Sequence, residues 1–201
     1  MPVTDRRTDT RARLVAAGVA LVNQEGVHAL TLREIARQAG VSHGAPRRYF
    51  LTHTELLAAV ARHGFGELAE ALGLPGQPAS GPAAARARLA GLARGYLDFA
   101  AARPGMFELM FRHDVLEDSG TGLRRTTLPL FETFARLVAE VRPASDAGAA
   151  DPATVAAALW ANLHGLAQLR AWGSLRLATG TDTVEPFLRA TLDAHLGPEP
   201  R

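Results

Sequence analysis

The side chains best placed to do chemistry fall in one short run, Ser42-His43-Gly44-Ala45-Pro46-Arg47-Arg48-Tyr49. It offers hydroxyl, imidazole and guanidinium donors on a stretch short enough to be a single helix. Donors and positive charge suit phosphates and base edges, and Gly44 and Ala45 carry so little side chain that the backbone can approach a phosphate closely. A second set, His164 and Gln168, lies one helical turn apart with Asn162 less well placed, and could orient a bound molecule. Acid–base catalysis has weaker footing. His113-Asp114 and Asp98 come nearest to a pair, and the sequence holds no His-x3-His with a glutamate, no Gly-x-Ser-x-Gly turn and no phosphate loop. With no cysteine, disulfides, thiolate metal sites and cysteine nucleophiles are excluded together. No metal or cofactor is expected.

Charge is unevenly spread. Residues 1–63 hold nine arginines against five acids, a balance of +4, and the remainder holds thirteen against fifteen, a balance of −2. A basic end on a near-neutral body suits a polyanion. Arg6, Arg7, Arg11 and Arg13 are either part of that surface or a solvated tail. Every basic residue is arginine in an Ala-, Gly- and Pro-rich background, a composition that GC-rich coding explains without a mechanism. The apolar stretches are interrupted well before the length of a membrane span, and charge stands where a secretory core would lie, so a cytoplasmic protein is expected.

The elements that must position these residues are helical. No segment alternates with period two, whereas Leu14, Ala17, Gly18, Leu21 and Val22 mark one face of a first helix. Thr31 and Glu34 read as a capping box at the start of a second, with Leu30 and Ile35 as its hydrophobic staple. The same device recurs at Thr52 and Glu55 with Leu51 and Leu56. Gly40-Val41-Ser42 makes a tight turn in which Ser42 caps a third helix, about 42–50. Helices then follow near 83–102, 105–113, 120–141, 153–173 and 184–196. The Gly- and Pro-rich 73–82 marks a boundary. The fold is therefore all-α, with a helix-turn-helix at 31–50, a first domain over 1–64, a connecting helix end and linker over 65–82, and a second domain over 83–201.

The run TLREIARQAGVSHGAPRRYFLTHTELL, residues 31–57, resembles the signature of the tetracycline-repressor family of transcriptional regulators. The resemblance implies a three-helix DNA-binding domain followed by a helical domain that binds a small molecule and dimerises. It implies that Thr31, Ser42, Gly44, Ala45, Arg47 and the start of the fourth helix, including His53, meet phosphates. His43, Arg48 and Tyr49 would face base edges. The chain departs from the family pattern where Arg47 replaces a tyrosine and His53 a lysine. Pro46 resembles one branch of the family and, in a helix starting at Ser42, would remove an N–H from its first turn. Further on, Trp160, His164 and Gly165 resemble the Trp, His-Gly motif of one class of C-terminal domain, and RPGMFELMF, 103–111, resembles the short helix before it.

These readings converge on a homodimeric regulator of a double-stranded DNA operator, a repressor or an activator, answering to a small hydrophobic effector and free of the membrane. The effector site is expected among Tyr96, Phe99, Phe107, Met110, Phe111, Phe131, Phe134, Trp160, His164 and Gln168. For each aromatic the alternative is an ordinary core position, and for His164 a satisfied core histidine.

Overall fold

The computed structural model describes residues 3–74, 76, 79–116, 124–142 and 150–198, with backbone alone for 3–7, 115, 124 and 126. The described elements are helical: α1 (Val3–Glu25), α2 (Leu32–Gln38), α3 (Pro46–Tyr49), α4 (His53–Ala71), α5 (Pro82–Ala102), α6 (Pro104–Phe111), α7 (His113–Leu116), α8 (Arg124–Val141), α9 (Pro152–Ala171), α10 (Ser174–Thr179) and α11 (Glu185–Leu196), with a 3-10 turn at Val27–Ala29. Their packing separates into two units. One is Met1–Glu67 with Arg103–Thr126; the other is Leu68–Ala102 with Thr127–Arg201.

In the first unit, α1 lies against α2, α3 and α6. Its inward face is Leu14, Ala17, Leu21 and Val22, all buried, as the period of the sequence requires. The sequence grouped 103–126 with the second domain, but α6 packs with the first unit because glycines let it come close. A Cβ on Gly105 would collide with the Val22 carbonyl oxygen. One on Gly64 would sit 2.5 Å from Met106 Sδ and 2.8 Å from Met110 Sδ. Glu67 accepts a 2.7 Å hydrogen bond from Arg103 at the start of α6. These backbone-level approaches are invisible to a hydrophobicity pattern.

In the second unit, α5 packs on α9 and α11, and α9 also meets α10 and α11. Asp151 caps α9, accepting from the backbone N–H groups of Ala153 at 3.0 Å and Thr154 at 3.1 Å, with Pro152 at the first helical position as the sequence suggested. Those bonds hold its carboxyl below the usual range, the Thr154 hydroxyl contributing most. Arg86 is buried yet paired, donating to Asp193 at 2.5 Å and to the Gly197 carbonyl at 2.7 Å. It ties the first turns of α5 to the end of α11.

Candidate DNA-binding face and effector region

The helix-turn-helix is built from local bonds. Thr31 Oγ1 accepts from Glu34 N at 3.2 Å, and Leu30 and Ile35 are both buried, so the expected cap and staple form. The carboxylate of Glu34 does not return to Thr31; it takes Arg37 instead, with Nε at 2.9 Å. α2 stops in a Schellman turn, where Gly40 N–H reaches Arg37 O at 3.1 Å and Val41 N–H reaches Ala36 O at 3.0 Å. Gly40 has φ +64°, which suits glycine.

The third helix is shorter than the sequence suggested. Residues 42–45 form a turn in which Ala45 N–H bonds Ser42 O at 2.9 Å, and the helix begins at Pro46. Ser42 therefore does not cap it; Ala45 is the cap residue, with no side-chain bond. Pro46 sits at the first helical position, where its missing N–H would have had no partner in the helix, so the proline defines the start of α3 rather than weakening it.

Around this turn Ser42, His43, Gly44, Arg47 and Arg48 are exposed, Tyr49 is half-buried, and Ala45 and Pro46 are buried. Phe50 is buried and anchors α3. Thr31 and His53 are also exposed, although each has an internal bond: His53 Nε2 lies 2.6 Å from the Leu30 carbonyl oxygen. That ring nitrogen donates inward, so His53 has one nitrogen left for any outside group. At the second cap, Thr52 Oγ1 accepts from Glu55 N at 3.0 Å, but Leu51 is 93% exposed and makes no staple with the fully buried Leu56.

Two of the N-terminal arginines engage groups of the protein itself. Arg13 Nη2 donates to Ala39 O at 2.6 Å, satisfying a carbonyl left over at the end of α2. The Arg11 guanidinium lies 4.7 Å above the Phe50 ring. Together they tie α1 to both ends of the turn and α3. The side chains of Arg6 and Arg7 lie outside the described residues.

The residues expected at the effector site divide between the units. Phe107, Met110 and Phe111 belong to the first, where Phe107 and Met110 are buried, Phe107 lies 4.9 Å from Phe111, and Phe111 meets the edge of Phe65 at 5.7 Å. There they pack together, with Phe111 half-buried. Tyr96, Phe99, Phe131, Phe134, Trp160, His164 and Gln168 belong to the second. Tyr96 and Phe99 are buried, and Phe131 and Phe134 half-buried.

A hydrogen-bonded chain joins four of these. Trp160 Nε1 donates to the Tyr96 hydroxyl oxygen at 3.3 Å, that oxygen lies 2.9 Å from His164 Nδ1, and His164 Nε2 is 3.4 Å from the Gln168 amide. Burial pushes the Tyr96 phenol well above its ordinary value, so it stays protonated. Burial pushes the His164 imidazole down, favouring the neutral ring that can both accept and donate within the chain. Neutral, bidirectional groups of this kind orient a ligand without demanding charge.

A helix-turn-helix with an arginine-bearing, exposed second helix, in a chain that also carries a second helical unit, defines a DNA-binding regulator of the helix-turn-helix class. The chain belongs to the tetracycline-repressor family: residues 14–60 match the model described as "Bacterial regulatory proteins, tetR family", and residues 89–195 match "Tetracyclin repressor-like, C-terminal domain". It is therefore a transcriptional regulator, which sets aside the enzyme reading. Among solved structures it resembles a protein of unknown function from Rhodococcus sp. RHA1, at 32% identity over 93% of each chain with a TM-score of 0.73. It also resembles the multidrug binding protein EbrR in complex with ethidium, at 26% identity over 93% of this chain and 98% of that one, TM-score 0.62. The HTH-type transcriptional regulator BetI of Serratia proteamaculans is 39% identical over 74 residues, 37% of each chain. The chain thus spans little more than a third of that curated relative. No helix of the described residues is long and apolar enough to cross a membrane.

Proposed function

We propose that the protein is a homodimeric repressor that binds a pseudo-palindromic operator in the cytoplasm and releases it when a small, largely apolar molecule occupies the second unit. The observation that carries this reading is the exposure of His43, Arg47 and Arg48 together on a proline-started helix whose other side is anchored by Phe50. In this reading residues 1–64 do the DNA binding, 65–82 join, and 83–201 supply effector binding and dimerisation. Arg47 and the backbone at Gly44 and Ala45 meet phosphates, with Thr31, Ser42 and His53 beside them. Arg48, His43 and Tyr49 read base edges. In the second unit Tyr96, Phe99, Phe131, Phe134, Trp160, His164 and Gln168 hold the effector. An effector shifts DNA affinity only by binding one arrangement of the dimer more tightly than another.

The experiment is selection from a random duplex pool, followed by titration of the enriched sequence. Enrichment of a two-fold symmetric site, and reversal of binding by a substrate of the neighbouring gene's product, is the expected result. A chain that enriches no sequence overturns the proposal. Binding strengthened by the small molecule, or transcription raised on binding, makes it an activator instead.

A further inference from the structure

α9 buries one stripe, on which Val155, Leu159, Leu163 and Leu166 are all shielded from solvent. Arg170 is seven residues past Leu163 and four past Leu166, so the helical period carries it onto the same stripe. Its Nη1 is cut off from solvent and has no hydrogen-bond partner among the described residues. Other arginines of this unit are satisfied, whether buried like Arg86 or exposed like Arg94. Arg86 holds Asp193 and Gly197 O, Arg94 donates to Glu185 at 2.6 Å, and Arg142 donates to His195 O at 2.9 Å.

A buried donor on a charged group is costly to leave unpaired, and far costlier than an aliphatic side chain in the same place. Leucine or methionine would continue the stripe without that penalty. Retaining a guanidinium there makes physical sense when its acceptor arrives from outside. We propose that Arg170 is an anion-binding group of the second unit, on the side of α9 turned away from His164 and Gln168, and that its Nη1 takes the carboxylate of an acidic effector. This rests on the effector-responsive reading above and adds a carboxylate to the effector. The planar fork of arginine matches a carboxylate in two parallel bonds. His164 and Gln168 stand about 120° or more from Arg170 around the helix, so they are not alternative donors to the same oxygens. The neutral state that burial favours for His164 also leaves Arg170 as the cation of α9 suited to the task.

The test uses the full chain with Arg170→Met and Arg170→Lys. In the ligand-free protein, Arg170→Met should raise Tm by about 2–4 °C, because an unpaired buried donor is replaced by an apolar side chain. A fall in Tm means that a partner already satisfies the guanidinium, whether a buried water or a second subunit, and overturns the proposal. Benzoate and decanoate are then compared with benzamide and decanol, by calorimetry and by operator release. The wild type should bind at least one acid, its neutral counterpart at least tenfold more weakly, with the acid lost on Arg170→Met and partly kept by Arg170→Lys. If the neutral counterpart binds equally well and releases DNA, the effector reading stands and the Arg170 assignment falls. If an acid binds through Arg170 while operator affinity is unmoved, the site stands and effector-driven release falls. If none of the four binds the wild type, the proposal is overturned.

Discussion

Replacing Arg13 with alanine separates two uses of a basic residue near DNA. By charge alone Arg13 belongs with Arg47 as a phosphate contact, but its Nη2 is spent on the Ala39 carbonyl at 2.6 Å; the Gly40 carbonyl at 3.5 Å is too distant to add much. A hydrogen bond to a charged donor contributes about 1.5–3 kcal/mol when buried, and the exposure of most of Arg13 reduces this to about 1–1.5 kcal/mol. For a chain of this size the corresponding fall in Tm is about 2–6 °C. Operator affinity should fall too, since the turn that seats α3 loses its tie to α1. The salt dependence should not change. Each phosphate contact removed flattens the slope of log K against log salt by about 0.9, so Arg47→Ala should flatten it by about 1.8 across a dimer and Arg13→Ala not at all. Fluorescence anisotropy on one operator from low to moderate salt measures both variants. A slope for Arg13→Ala that flattens as much as that of Arg47→Ala would refute the positioning role and return Arg13 to the DNA.

Arg48→Ala should relax preference at one position per half-site at a cost of roughly 1–3 kcal/mol, visible as a changed selection profile, whereas Arg47→Ala should weaken all sequences evenly. Gly105→Ala should destabilise the first unit by about 1–3 kcal/mol in chemical denaturation, because the new Cβ meets the Val22 backbone, which cannot rotate away. His164 has its proton affinity lowered by burial, so the stability it contributes is complete above the ordinary histidine range and is lost as pH falls below it. His164→Gln should therefore flatten the drop in Tm between pH 8 and pH 5.5, and a variant whose Tm tracks the wild type across that range argues against a buried neutral ring.

Local signals of the helix-turn-helix were legible because they are short-range. The Thr31 cap, the Leu30 and Ile35 staple and the Gly40 turn each need only residues a few positions apart. Leu51 shows the limit of that reasoning: it has the right spacing from Leu56, yet no neighbour covers it. The start of α1 at Val3 was hidden because residues 3–13 carry no apolar stripe. Pro46 conflicts with a helix starting at Ser42, and a proline at the first helical position is the simpler account. The inward turns of Arg11, Arg13 and His53 depend on partners 23 to 39 residues away, and one sequence cannot reveal them. For Arg170 the spacing from Leu163 and Leu166 is the available clue, and it says nothing of whether the guanidinium has a partner.

α9 also carries the argument for two-fold assembly. Its inward stripe is covered, but Ala157, Ala158 and Ala161 are exposed, Trp160 is 40% and Leu169 43% exposed, and Trp172 just beyond is 72% exposed. A surface helix normally presents charge on its outer side, and an apolar outer side implies a second burial. Alanines four apart allow another helix to approach closely, and a two-fold contact there would match a two-fold operator. Ala161→Arg tests this without threatening the fold of one chain, since the position is open to solvent. In an interface it would bury an unpaired guanidinium, at a cost of about 3 kcal/mol or more, which weakens the dimer at least roughly a hundredfold. Light scattering at micromolar concentration should then report a monomer with unchanged helicity, and operator affinity should drop because two half-sites must be bound independently. A variant that remains dimeric moves the interface off this face of α9, and a wild type that is itself monomeric removes the two-fold operator with it.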